Sequence, residues 1–190
     1  MKVGLFFGSF NPIHIGHTAI ANYIIEFSDL DKIWFVVSPQ NPLKNKASLL
    51  SDYQRLEMVN LAIKDDLRFK ACDIELKLPK PSYTINTLTY LKEKYPSYEF
   101  VLIIGSDNYI NLHKWKNYEI LTSEYSFIVY PRPGFGCESH NLNGKFTIIN
   151  APQIEISSSF IRSAIASKKD IRYFLNPDVY KYISEMNFYR

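Results

Sequence analysis

Apolar residues along the chain gather in short, nearly unbroken runs, and between the runs they recur every three or four positions. The runs cover residues 2–7, 32–37, 69–78, 100–104, 126–130 and 146–149, and they are rich in β-branched and aromatic side chains. Unbroken hydrophobic runs suit strands covered on both faces, so these six predict a parallel sheet. The intervening segments predict helices. Residues 17–27 put Ile20, Ile24 and Phe27 on one face. Ser51 and Gln54 stand at capping-box spacing ahead of Leu56, Val59 and Ile63. Ser82 and Thr84 are N-cap candidates for a helix bearing Leu88 and Leu91, and Ser157, Ser158 and Ser159 can cap one bearing Ile161 and Ile165. Pro177 suits the first turn of a last helix through Tyr180 and Ile183.

Strand–helix alternation of this kind predicts right-handed crossovers and a doubly wound, Rossmann-like α/β fold: a parallel sheet flanked by helices. A length of 190 residues suits one domain, 1–190, and no repeat, linker or low-complexity tract interrupts it. The longest breaks, 38–50 and 131–144, are rich in Pro, Asn or Gly and are candidate active-site loops.

Composition narrows the function classes. The chain is 46% hydrophobic and 22% charged, ordinary for a soluble globular protein. A net charge of +3 with no Lys/Arg block is compatible with anionic small molecules and does not call for nucleic acid. Cys72 and Cys137 lie outside any CxxC or Cys/His cluster, so no structural metal is indicated, and free thiols suit a reducing cytoplasm. The apolar run at residues 5–7 is too short for a signal peptide, and no stretch approaches the ~20 residues of a membrane span. These features predict a cytoplasmic protein without a membrane partner. Oligomeric state stays open, a homo-oligomer included.

The chemistry concentrates where the first strand ends. There the chain reads Gly8-Ser9-Phe10-Asn11-Pro12-Ile13-His14-Ile15-Gly16-His17. In an open α/β sheet, ligands sit outside the carboxyl ends of the strands. A small residue lets backbone N–H groups approach a phosphate, and a helix N-terminus adds partial positive charge. His14 and His17, three apart at a helix start, face the same way, and Gly16 between them leaves room for a planar group. The string therefore favours an anion. A zinc site would need a third protein ligand, and neither His113 nor His140 stands in a recognisable ligand pattern.

The string G-S-F-N-P-I-H-I-G-H resembles the nucleotide-binding signature of the nucleotidylyltransferase superfamily, whose histidine tetrapeptide class I aminoacyl-tRNA synthetases share. The superfamily's second signature is matched by Ile156-Ser157-Ser158-Ser159-Phe160-Ile161-Arg162. A serine-rich helix start offers hydroxyl and N–H groups to phosphate, and Arg162 adds a fixed charge and a planar donor fork. Further stretches, Pro42-Leu43-Lys44, Ser82-Tyr83-Thr84, Gly105-Ser106-Asp107 with Trp115, and Tyr130-Pro131-Arg132-Pro133-Gly134, resemble the bacterial nicotinate-nucleotide adenylyltransferase family over nearly the whole chain. Phe7 departs from the pattern, which more often has a second glycine there, and a local repacking is expected.

The resemblance implies adenylyl transfer from ATP to nicotinate mononucleotide, with a magnesium ion bound mainly through the ATP phosphates. It implies that Gly8, Ser9, Phe10 and Gly16 line the ATP path. His14 and His17 bind its phosphates, and Ile156, Ser157, Ser158, Ser159 and Arg162 hold the departing end. It puts Asp107 against a ribose, Thr84 and Trp115 on the nicotinate side, and Lys44 and Arg132 on a phosphate or carboxylate. Arg55 is equally consistent with an ion pair on a helix surface. The competing readings are a pantetheine-phosphate or other small-molecule adenylyltransferase, and a nucleotide-binding module without catalysis. A tRNA synthetase is disfavoured, because the chain holds no Lys-Met-Ser-Lys-Ser loop and no room for an anticodon-binding domain.

Overall fold

The computed structural model describes residues 1–39, 49–136 and 142–190. Its sheet is built from β1 (Lys2–Gly8), β2 (Lys32–Val37), β3 (Phe69–Cys72), β4 (Glu99–Gly105), β5 (Ser126–Tyr130) and β6 (Lys145–Ile148). All neighbours pair in parallel, in the order β3-β2-β1-β4-β5-β6. The order reverses between β1 and β4, which makes the carboxyl edge of those two strands the switch point where ligands bind in such sheets.

Successive side chains of a strand point to opposite faces, and the sheet shows this period. Phe35 and Val37 of β2 and Val101 and Ile103 of β4 enter one core. Trp34 and Val36 of β2 and Leu102 and Ile104 of β4 enter the other. The first core is closed by α1 (Ile15–Glu26), α2 (Asp52–Ile63), α7 (Ser158–Ala166) and α8 (Pro177–Glu185), through residues such as Ile24, Met58, Ile161 and Val179. The second is closed by α3 (Ile74–Lys77), α4 (Thr84–Lys94), α5 (Ser106–Ile110) and α6 (Tyr118–Glu124), through Ile74, Leu88, Tyr109 and Leu121. Helices on both faces of a parallel sheet are the doubly wound arrangement that the alternation predicts.

Local signals set most element starts. Ser51 accepts from the Gln54 N–H while the Gln54 side chain accepts from the Ser51 N–H, a complete capping box. Ser157 caps α7 by accepting from Phe160, and Pro177 opens α8. Elsewhere the structure differs from the expectation. The run 69–78 is not one strand: β3 stops at Cys72 and α3 follows. Ile74, Leu76 and Leu78 alternate as a strand would, yet Ile74 and Leu78 also stand four apart and both meet the second core. An Asp73–Lys77 ion pair at 2.7 Å supports that turn. Neither Ser82 nor Thr84 caps α4: the cap position is Tyr83, and Thr84 is the first helical residue. The first helix begins at Ile15 rather than 17, with His14 as its N-cap.

Candidate active site

The turn after β1 carries the first motif. Phe10 takes a left-handed backbone, φ 46°, which drives its ring inward. The ring is 2% exposed and packs edge-on against Phe6, Phe35 and His17. Phe10 is thus a core residue that backs His17. Gly8 is required by this packing, since a Cβ there would come within 2.8–3.1 Å of the Phe10 ring. Phe7, where a repacking was expected, is partly buried and rests against the second core.

His14 and His17 lie with ring centroids 3.8 Å apart. The backbone N–H of His14 donates to Nδ1 of His17 at 3.3 Å. That Nδ1 therefore carries no proton, and Nε2 is left as the donor. Gly16 gives room for the His14 ring itself, whose Nδ1 and Cε1 would lie 3.0 and 3.1 Å from a Cβ. Nδ1 of His14 is buried without a hydrogen-bond partner. Burial first, and then the Arg132 guanidinium, pull the His14 pKa down to about 4. His17 is lowered well below the usual range by burial, then by His14 and Arg132. Both imidazoles are neutral donors at physiological pH.

The second motif meets the first directly. Ser158 Oγ donates to the Pro12 carbonyl at 2.9 Å, and Arg162 Nη1 donates to the Asn11 carbonyl at 2.8 Å. Arg162 Nη2 donates to Ser159 Oγ at 3.2 Å, while Ile156 packs on the first core. The hydroxyls of Ser157 and Ser158 are thus engaged within the protein. What the start of α7 offers a ligand is its first N–H groups and the remaining edge of Arg162.

Across the switch point, Asp107 at the start of α5 pairs with Arg132 after β5, Oδ1 to Nε 3.3 Å. Arg132 also donates to the Tyr130 hydroxyl at 2.8 Å. Its backbone N–H donates to Ser106 Oγ. Gly105 makes this pair possible: a Cβ there would collide with the Asp107 carboxylate and stand 2.7 Å from Arg132 Nε. Arg132 keeps 44% of its side chain exposed and raises the local potential at both histidines. Asp107 is therefore an anchor for Arg132 in this structure.

Thr84 and Trp115 lie apart from that cluster, both half-buried, with Trp115 against the second core. The Lys116 ammonium sits 4.2 Å over the Tyr83 ring and ties their two segments together. Lys44 lies outside the described residues.

Two residues that spacing does not reveal hold the first motif from behind. Arg55 of α2 is fully buried. It donates to the carbonyls of Ser9, of Ser38 (2.8 Å) and of Leu50 (3.2 Å), and pairs with Asp52 at 2.6 Å. Of the two roles open to Arg55, a surface pair is replaced by a buried clamp. Tyr189 donates to Asn11 Oδ1 at 2.7 Å from 178 residues away. The only sequence sign of the Arg55 clamp is a charge at a core-facing helical position, and Tyr189 gives none.

The site's likeness to known proteins is extensive. The cytidylyltransferase-like family model matches residues 5–164. The chain is 55% identical to the probable nicotinate-nucleotide adenylyltransferase of Flavobacterium psychrophilum, over 100% of both chains. It is 54% identical to that of Bacteroides fragilis, over 96% of this chain and 90% of the relative. In fold it is similar to Plasmodium falciparum nicotinic acid mononucleotide adenylyltransferase, with a TM-score of 0.81 at 24% identity, over 99% of this chain and 97% of that one. A full-length match at such identity leaves one assignment: the chain belongs to the cytidylyltransferase-like family and, within it, to the nicotinate-nucleotide adenylyltransferases.

Proposed function

We propose that the protein transfers the adenylyl group of ATP to nicotinate mononucleotide, giving nicotinate adenine dinucleotide and pyrophosphate, a step of NAD biosynthesis. The observation that carries this reading is the clasp between the two motifs. Ser158 and Arg162 grip the carbonyls of the Asn11–Pro12 turn across about 150 residues of chain, beside two neutral imidazoles. Full-length relatives that bear this activity in their names support the choice of acceptor.

The nucleophile is a phosphate oxygen of the mononucleotide. It forms a bond to the α-phosphorus of ATP as the bond from that phosphorus to the bridging oxygen breaks, and the electron pair leaves with pyrophosphate. No enzyme nucleophile is needed, so the protein's part is positioning and charge stabilisation. His17, with its proton on Nε2, and His14 beside it are assigned to the α- and bridging-phosphate oxygens. Arg162 and the N–H groups opening α7 are assigned to the departing end. Arg132 stands on the opposite flank as a second cation. Magnesium enters as part of the ATP substrate. Asp107 is already paired with Arg132, and imidazoles are poor magnesium ligands, so the ion is assigned to the ATP phosphates. The buried free thiol of Cys72 agrees with a cytoplasmic setting, and no described helix is long and apolar enough to cross a membrane.

The test is pyrophosphate release from ATP and magnesium with nicotinate mononucleotide, nicotinamide mononucleotide or phosphopantetheine as acceptor. Release with the nicotinate compound is expected. Release with phosphopantetheine alone would reassign the acceptor, and release with none would leave only nucleotide binding.

A further inference from the structure

On the β2–β3 side of the sheet lies a buried carboxylate that the transfer described above does not use. Glu75, in α3, is 3% exposed. Thr87 Oγ1 donates to its Oε1 at 2.8 Å, and the nearby hydroxyls of Ser38 and Ser82 also favour its charged form. A buried carboxylate is costly unless its oxygens are hydrogen-bonded, and here Thr87 supplies one bond while hydroxyls of two further segments stand close by. Ser38 directly follows β2 at the carboxyl edge, where its N–H donates to the Gly8 carbonyl at 2.9 Å. Ser82 lies in the loop entering α4, and Thr87 is one turn inside that helix. The carboxylate therefore pins the loop before α4 to the rim of the crevice. That loop leads directly into Thr84, the first residue of α4, and through the Lys116–Tyr83 contact it also braces the segment of Trp115.

An apolar residue of similar size would fill the space, but it would leave Ser38 and Ser82 without a common partner and their segments free to shift. The raised pKa of the carboxyl, caused by burial and opposed by its hydroxyl donors, belongs to the same enclosure. We propose that Glu75 is a positioning residue for the acceptor site, holding the Ser82–Thr84 loop against Ser38 so that the wall facing the mononucleotide keeps its shape. This rests on the reading of Thr84 and Trp115 as the nicotinate side.

Steady-state kinetics of the full chain test it. Glu75→Gln keeps the size but replaces one accepting oxygen with a donor that faces other donors. It should raise KM for nicotinate mononucleotide at least about fivefold, the scale of one hydrogen bond, with KM for ATP and kcat within about twofold. Thr87→Val, which removes one donor to Glu75, should act in the same direction, and Thr87→Ser should restore the wild-type value. Unchanged constants in Glu75→Gln, or equal rises for both substrates, overturn the proposal. If Glu75→Gln fails to fold, the Thr87 pair decides by the same criterion. Wild-type protein runs alongside: its failure to turn over nicotinate mononucleotide would sink the functional reading, whereas wild-type turnover with an unmoved acceptor KM in the variants sinks only the role of Glu75.

Discussion

At the scale of single residues, the chemistry depends on two imidazoles kept neutral before an anion arrives. Burial first disfavours the charge on both, Arg132 adds to that, and His17 is further opposed by His14, whose ring centroid lies 3.8 Å away. The contact from the His14 N–H to His17 Nδ1 then sets the tautomer. Nitrogen-detected NMR at about pH 7 should therefore show His17 Nδ1 unprotonated and Nε2 protonated; the opposite tautomer would remove its role as a donor. Replacing His17 by Ala should lower kcat at least ~10²-fold, the scale for losing one transition-state donor, while leaving circular dichroism unchanged. Stability carries the same signature. The unfolded chain takes up histidine protons near pH 6.5, whereas folded His14 does so only at about 4, so the unfolded state binds more protons between those values. Stability is thus full above about pH 6.5 and falls as pH drops toward 4, by on the order of 3 kcal/mol from His14. Urea unfolding across that window checks it, and a flat midpoint would contradict it. His14 and His17 were legible as a pair from their spacing alone, because an N-cap residue and the third residue of its helix meet wherever the helix lies. Phe10 was not: its turn conformation and the pocket among Phe6, Phe35 and His17 are not encoded within the motif.

Between elements, the motif loop is held from outside itself. Arg55 reaches from α2 to the carbonyls of Ser9, Ser38 and Leu50, joining the ends of β1 and β2 to the start of its own helix. Replacing it by Met would leave those carbonyls without the guanidinium and Asp52 with only Lys80, at 3.1 Å. We expect a loss of about 3–5 kcal/mol, the usual scale for breaking a buried pair from one side. Equilibrium urea denaturation measures it, and a change below about 1 kcal/mol would make the clamp incidental. The serine cap of α7 shows the same division of labour. Its sequence announces a helix start, which is a local matter, and Ser157 does cap it. That Ser158 and Arg162 would grip the Asn11–Pro12 turn depends on how α7 lies against β1. Where two periodicities fitted one stretch, as at Ile74–Leu78, alternation alone misled, and packing on the second core selected the helical turn.

For the molecule as a whole, the last residues complete a site that begins at the first strand. Tyr189 donates to Asn11 Oδ1, which also accepts from the Leu50 N–H at 3.3 Å. The Asn11 carbonyl meanwhile receives Arg162. Tyr189→Phe removes one hydrogen bond at this junction. It should cost about 1 kcal/mol of stability. Because the turn orients the ATP end, KM for ATP should rise severalfold with little change for the acceptor. A matched change in both constants would make Tyr189 a general stabiliser instead. By itself the sequence determined the alternation of strands and helices, the doubly wound class and the phosphate-seeking motif at the end of β1, since apolar period, capping and turn chemistry act within a few residues. Only the tertiary structure decided that the Phe10 ring is core, that Arg55 and Tyr189 hold the loop, and that Asp107 anchors Arg132 over Gly105. Each of these is a choice of partner for a buried polar or aromatic group among distant candidates, and chain spacing holds no record of which of them will meet.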